Sequence, residues 1–161
     1  SNAPTLYTFC MCPGGEVVAA SSENGRLAVN GMSCFARDAD NSNSALLVNV
    51  GSEDYGSDHP LAGMYFQRDI EEKAFIAGGS DYSAPVTTVG ELMGGEFAVG
   101  KVIPSYTPNY RHAAVEEYLP DFICRSLRLG LPEMGKKRKE RFRCLPLRDG
   151  EREYIGNEQN R

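Results

Sequence analysis

The apolar positions change their period along the chain. Leu6–Met11 is rich in aromatic and β-favouring residues, Glu16–Ala20 and Arg26–Asn30 are short stretches of similar character, and Ser44–Val50 is a nearly continuous apolar run. These predict four strands. The last is expected to be buried on both faces, because its apolar residues are consecutive rather than alternating. Pro13-Gly14 supplies what a type II turn wants at its two central positions. Asn24-Gly25 predicts a type I′ hairpin. Asn30-Gly31 reads as a further reversal or a bulge, and Asp38–Asn43 as a polar loop.

A helical period begins near Asp58, which can accept an orphan backbone N–H, with Pro60 suited to the first turn. Gly63, Phe66, Ile70, Ala74 and Ala77 then fall on one face. Arg68–Glu72 and Asp69–Lys73 are spaced for i,i+4 pairing, and Gly78-Gly79 ends the helix. Val86–Val89 reads as a strand or as the lead into a short helix at Glu91–Met93. Phe97–Ile103 reads as a strand, and Pro104–Pro108 as an extended loop. A short helix is expected at His112–Tyr118. Another starts at Pro120, with Phe122, Ile123 and Leu127 inward and Gly130 as its stop, and a third runs from Pro132 into Lys139. The order predicts an α+β fold: an antiparallel sheet that could curl toward a barrel, one long helix and a C-terminal helical subdomain. Residues 4–139 form one domain and 140–161 an atypical tail, while Ser1-Asn2-Ala3 reads as a cloning scar.

Charge separates along the chain. Residues 1–135 carry 8 Lys+Arg against 17 Asp+Glu, a net of −9, and residues 136–161 carry 9 against 5, a net of +4. An acidic body argues against nucleic-acid binding, which needs a basic footprint. The basic run from Lys136 to Arg143 reads first as a solvated helix end. No stretch of about 18 apolar residues predicts a membrane span, and no signal peptide opens the chain. The five cysteines, Cys10, Cys12, Cys34, Cys124 and Cys144, have no framework spacing, which predicts reduced thiols in a cytoplasmic protein.

Residue chemistry alone offers little more. Cys10 and Cys12, two apart on a strand, would share a face. Buried structural thiols, with at least one of the two buried, are the first reading; a redox pair or half a metal site are the alternatives. The turn Pro13-Gly14-Gly15-Glu16 would let backbone N–H groups approach a ligand, or would simply reverse the chain. No G-x-G-x-x-G lies between a strand and a helix, and no P-loop occurs, so no dinucleotide site is expected. Arg37, Asp38, Asp40, Asn41 and Asn43 lack the register of a calcium loop. His59 and His112 sit at expected helix starts without a Ser, Cys or carboxylate partner at a motif spacing.

Read as ordered blocks, the chain resembles the interior of a bacterial family of uncharacterised FAD-dependent dehydrogenases. The blocks are Thr8–Val18, Asn30-Gly31-Met32-Ser33 with Ala36-Arg37, Asn41–Val48, His59–Gly63 with Phe66-Gln67-Arg68, Pro104-Ser105-Tyr106 and Leu119-Pro120-Asp121. The resemblance implies a domain inserted between an N-terminal Rossmann-type FAD motif and a later glycine-rich motif. Such a domain covers the reactive face of the flavin and helps to form the substrate pocket. It also implies FAD in the parent enzyme but none in this chain, the parent's flavin-binding domain as partner, and an unknown small-molecule substrate. Arg37, a rigid fork of donors suited to a carboxylate or phosphate, is expected to face substrate or flavin, with Gly14, Gly15, Ser33 and Asn43 lining the same region. Local pairing of Arg37 with Asp38 or Asp40 is the alternative. The sequence after Lys139 departs from the family's pattern and is assigned no function. A stand-alone ligand-binding or protein-interaction module without enzymatic activity is the competing reading.

Overall fold

The computed structural model describes residues 5–95 and 103–141, the last five as backbone only. Its strands are β1 (Leu6–Cys12), β2 (Gly15–Ala19), β3 (Val29–Ser33), β4 (Asn43–Val48), β5 (Ala84–Val86) and β6 (Tyr110–His112), and its α-helices are α1 (Ala62–Ala77), α2 (Val89–Leu92) and α3 (Asp121–Arg141). β1 pairs with β4 and β2 with β3, both antiparallel, while β5 and β6 run parallel. The fold is α+β, and among the described residues these ribbons do not close into a barrel.

The turns differ from the sequence expectation in instructive ways. Pro13-Gly14 does reverse the chain, with Gly14 at φ +58°. It joins strands of two different ribbons, however, and not the two arms of one hairpin. A type I′ turn needs positive φ at both central residues, and of Asn24-Gly25 only Gly25 has it. The reversal is a wider loop, closed where Ala20 N–H donates to the Ala28 carbonyl at 2.9 Å and Ala28 N–H donates to Ser21 Oγ at 3.0 Å. With the reversal completed there, Asn30-Gly31 is no turn. It lies inside β3, opposite Val18 and Val17.

Helix α1 keeps the expected buried stripe, with Ile70 and Ala74 in the core and Gly63, Phe66 and Ala77 partly covered. It begins later than Asp58. The Leu61 N–H donates to His59 Nδ1 at 3.1 Å and the Ala62 N–H to the His59 carbonyl at 2.9 Å, so His59 supplies the acceptors that Asp58 was expected to provide. Lys73 pairs with Asp69 as the spacing predicts. Arg68 instead reaches out of the helix to Glu23 at 2.7 Å, and Arg26 takes Glu72 at 3.7 Å, tying the β2–β3 loop to α1. The helix ends at Gly78, followed by Gly79 at φ +102°.

The C-terminal segment is one helix where two were expected. Gly130 is not in a left-handed conformation, so it does not stop α3. Its missing side chain makes room for Leu6, whose Cδ2 would lie 2.5 Å from a Cβ built there. Pro132 removes one backbone donor inside the helix, yet the helix continues to Arg141. His112 ends strand β6 rather than opening a helix, and only a short 3-10 turn, Val115–Glu117, follows. The strand expected at Phe97–Ile103 falls, apart from Ile103, outside the described residues, as does the tail after Arg141.

The core gathers Leu27 and Val29 with Ala74, Ala84, Leu92, Tyr106, Val115, Tyr118, Cys124 and Leu127. Tyr106 donates its hydroxyl to the Tyr82 carbonyl at 3.0 Å, which satisfies the one polar atom a buried tyrosine carries inward. Burial pushes the Tyr118 hydroxyl's pKa well above the ordinary tyrosine value. The β1–β4 ribbon lies at the margin of this core. Only Ala45 of β4 is buried, so the expected burial on both faces does not occur among the described residues, and Tyr7–Met11 of β1 are all exposed.

Candidate functional site

The five residues singled out from sequence meet at one place, where the turn after β1, the turn after β3 and the start of β4 interlock. Gly14 lies directly against the main chain of Arg37: a Cβ on Gly14 would stand 2.0 Å from the Arg37 carbonyl oxygen. Gly15 is buried. Its N–H donates to the Asn41 carbonyl at 2.7 Å, and it pairs with Ser33 across the β2–β3 ribbon. Asn43 pairs with Cys12 in the other ribbon, while its side-chain amide donates to the carbonyls of Glu16 and Met32 at 2.9 and 3.0 Å. Asn43 therefore ties the two ribbons together through one side chain.

Arg37 occupies a left-handed conformation at φ +51°, with its N–H on the Cys34 carbonyl at 3.1 Å. A non-glycine residue there is held by its surroundings at a cost of about 1 kcal/mol or more, and the Arg37 carbonyl fills the space a Cβ on Gly14 would take. The main chain is clamped while the side chain projects from the surface. Among the described residues the Arg37 guanidinium has no ion-pair or hydrogen-bond partner, so the local pairing with Asp38 or Asp40 considered from sequence is not formed. A guanidinium so placed can receive a carboxylate or phosphate through two parallel bonds.

The thiols differ from expectation. Cys10 is at φ +50° and the β1–β4 register slips between Phe9 and Cys12. This bulge breaks the alternation that would put Cys10 and Cys12 on one face. Cys10 is exposed and Cys12 half-buried, so the expectation that at least one of them is buried is not met. The reason is that the apolar strand finds no cover among the described residues. The buried thiol is Cys124, on α3, whose pKa is raised by burial and further by the charge of Asp121. Among the described residues no three His, Cys, Asp or Glu side chains converge as a metal site, and no described helix is long and apolar enough to cross a membrane.

A second polar cluster was not legible in the sequence. His112 Nε2 lies 2.7 and 2.8 Å from the two carboxylate oxygens of Glu91, and the Thr87 hydroxyl donates to the same carboxylate at 2.6 Å. Parallel pairing sets Val86 opposite His112, and α2 brings Glu91 back over that end of the ribbon. Burial works against ionisation of Glu91, but the bonds from Thr87 and His112 outweigh it and hold its pKa below the ordinary value. The partners are 21 residues apart in sequence, which no motif spacing signals. His59, in contrast, caps α1 and stacks near Tyr65 at 5.7 Å between ring centres.

The family described as FAD-dependent protein, C-terminal domain-like, matches residues 1–144. An uncharacterized protein of Clostridium beijerinckii is 52% identical over 136 residues, covering 83% of this chain and 26% of that relative's length. The chain thus spans about a quarter of the relative it matches. Matched along nearly its whole described length, the chain belongs to the FAD-dependent protein, C-terminal domain-like, family.

Proposed function

We propose that the chain is the substrate-facing cap domain of an FAD-dependent oxidoreductase, a dehydrogenase, in which another part of the same polypeptide holds the flavin. Family membership and the greater length of the relative support a parent flavoprotein. The Gly14-Gly15 turn does not offer a dinucleotide cradle. The left-handed glycine turn that could receive a pyrophosphate is filled at Gly14 by the chain's own Arg37 carbonyl, and Gly15 is covered by Asn43, Cys12 and Met32. Neither glycine opens a helix, whose N-terminal amides such a site would require.

The observation that carries the reading is the Arg37 side chain, without a partner among the described residues, on a main chain clamped to Gly14. In the parent enzyme it binds an anionic group of a small substrate and orients it. Ser33 and Asn43 hold the turns that present it. The partner is the flavin-binding domain, the compartment is the cytoplasm, and neither nucleic acid nor membrane takes part. The isolated chain binds no flavin and has no activity.

In the full-length flavoprotein, small carboxylates and phosphates are screened by their effect on flavin absorbance. Arg37→Ala is expected to abolish the response and to lower turnover roughly tenfold to a hundredfold, the worth of one charge-assisted bond pair, with flavin content unchanged. Arg37→Lys restores part of it. Normal turnover in Arg37→Ala, or a stoichiometric yellow complex between the isolated chain and FAD, would overturn the reading.

A further inference from the structure

The β1 side of the molecule presents an apolar surface that nothing among the described residues covers. Tyr7, Phe9 and Met11 of β1 are exposed, Met11 to 64%. Met32 of β3 stands at 52%, and Phe35, on the turn that carries Arg37, is fully exposed at 105%. Aromatic residues, methionine and arginine enrich the buried centre of protein interfaces, and charge is depleted there. The local sequence follows that rule: residues 4–25 contain no Lys or Arg, and Glu16 and Glu23 are their only acidic residues. Methionine adds an adaptable, polarisable contact. Strand β1 is also bent by the bulge at Cys10, a device that re-aims side chains at sheet margins.

We infer that Tyr7, Phe9, Met11, Met32 and Phe35 form the seat of the flavin-binding part of the same polypeptide, with Phe35 as the central anchor. This rests on the cap-domain reading. The chain corresponds to 26% of the relative's length and to a C-terminal domain-like family of FAD-dependent proteins, so on the cap-domain reading a large neighbour of the same polypeptide is the occupant. Phe35 lies two residues before Arg37 on the same turn, so docking on Phe35 brings Arg37 near the interface, with the substrate held between the two domains.

Native thiols make the test direct. Cys10 lies between Phe9 and Met11 in the chain and Cys34 lies next to Phe35, both exposed, and Cys124 is buried. In a background of Cys12→Ser and Cys144→Ser, labelling by a chromogenic disulfide reagent is compared between the 161-residue chain and the full-length flavoprotein. Cys10 and Cys34 are expected to react rapidly in the isolated chain and at least tenfold more slowly in the full-length protein, with Cys124 inert in both. Phe35→Asp in the full-length protein restores rapid labelling, and in the isolated chain leaves the melting temperature unchanged. Equal labelling rates in the two proteins would overturn the inference. So would protection in the isolated chain accompanied by a dimer in sedimentation, because a second copy would then be the occupant. Arg37→Ala separates the two claims: if it impairs turnover while the labelling rates are equal, the cap reading stands and the docking surface fails.

Discussion

Gly14 and Arg37 are locked together by their main chains, with no space between them for even one methyl group. Gly14→Ala would force the Arg37 carbonyl to move, and alanine at φ +58° adds roughly 1–2 kcal/mol of its own. Gly25 is the comparison, at φ +71° with open space within 4 Å of where a Cβ would stand. Gly25→Ala is expected to cost about 1 kcal/mol and to lower the melting temperature by roughly 2–4 °C. Gly14→Ala is expected to cost at least about twice that. Equal effects in thermal melts would show that the Arg37 contact adds nothing.

Asn43 is the bridge between the ribbons, and its amide donates to two carbonyls. Asn43→Ala removes both bonds from a half-exposed site that water can partly enter, a loss of about 1–2 kcal/mol. Asn43→Asp is expected to be worse at neutral pH, since a carboxylate there faces two acceptors. The folded state raises the pKa of the introduced carboxyl, so the extra penalty is present above its folded value and disappears as pH falls below the unfolded value of about 3.9. Urea melts of the two variants at pH 7 and pH 3 should therefore converge at the lower pH.

What the sequence made legible was what local chemistry decides. The stripe through Ile70 and Ala74 and the Gly78-Gly79 stop were readable because helical period and glycine punctuation act within a few residues. Asn30-Gly31 and Gly130 were misread for one shared reason: glycine signals a turn, but here it is kept for pairing inside β3 and for close approach of Leu6. The apolar content of β1 read as burial, whereas its cover is not among the described residues, and that left the exposure of Cys10 and Phe9 invisible. The candidate residues around Arg37 do converge. The Glu91–His112 pair does not follow from any spacing, because the parallel β5–β6 pairing and α2 bring it together only in three dimensions.

Glu91 gives the fold an acid-sensitive contact. Its folded pKa lies below the unfolded value because the Thr87 and His112 bonds overcome the cost of burial. The carboxylate therefore contributes stability that is fully present above the unfolded glutamate value of about 4.3, and that stability is lost as pH falls through the folded value. Discounted for partial exposure, the contribution is on the order of 1 kcal/mol. Glu91→Gln should be less stable than the parent chain at pH 7, and the two should converge as pH falls through the folded value, below the unfolded glutamate range. A constant gap in urea midpoints across that range would refute the assignment.

Gly130 opposes helix propensity to packing. On propensity alone Gly130→Ala should stabilise α3 by about 1 kcal/mol. The new Cβ would stand 2.5 Å from Leu6 Cδ2 and 2.7 Å from Leu6 Cβ, and the second of these cannot be relieved by rotating the end of the side chain. Overpacking typically costs about 1–3 kcal/mol, so Gly130→Ala is expected to destabilise on balance. Leu6→Ala removes the Cγ and Cδ2 contacts while its own Cβ stays, and it should also destabilise when made alone, since Leu6 packs against the core. In the double variant the part of the overpacking that comes from Cγ and Cδ2 is relieved, and the cycle should show a favourable coupling of about 1 kcal/mol. Denaturant unfolding of the four proteins measures it. Additive effects would mean that α3 and β1 do not meet at these residues, and the docked position of β1 against α3 would have to be redrawn.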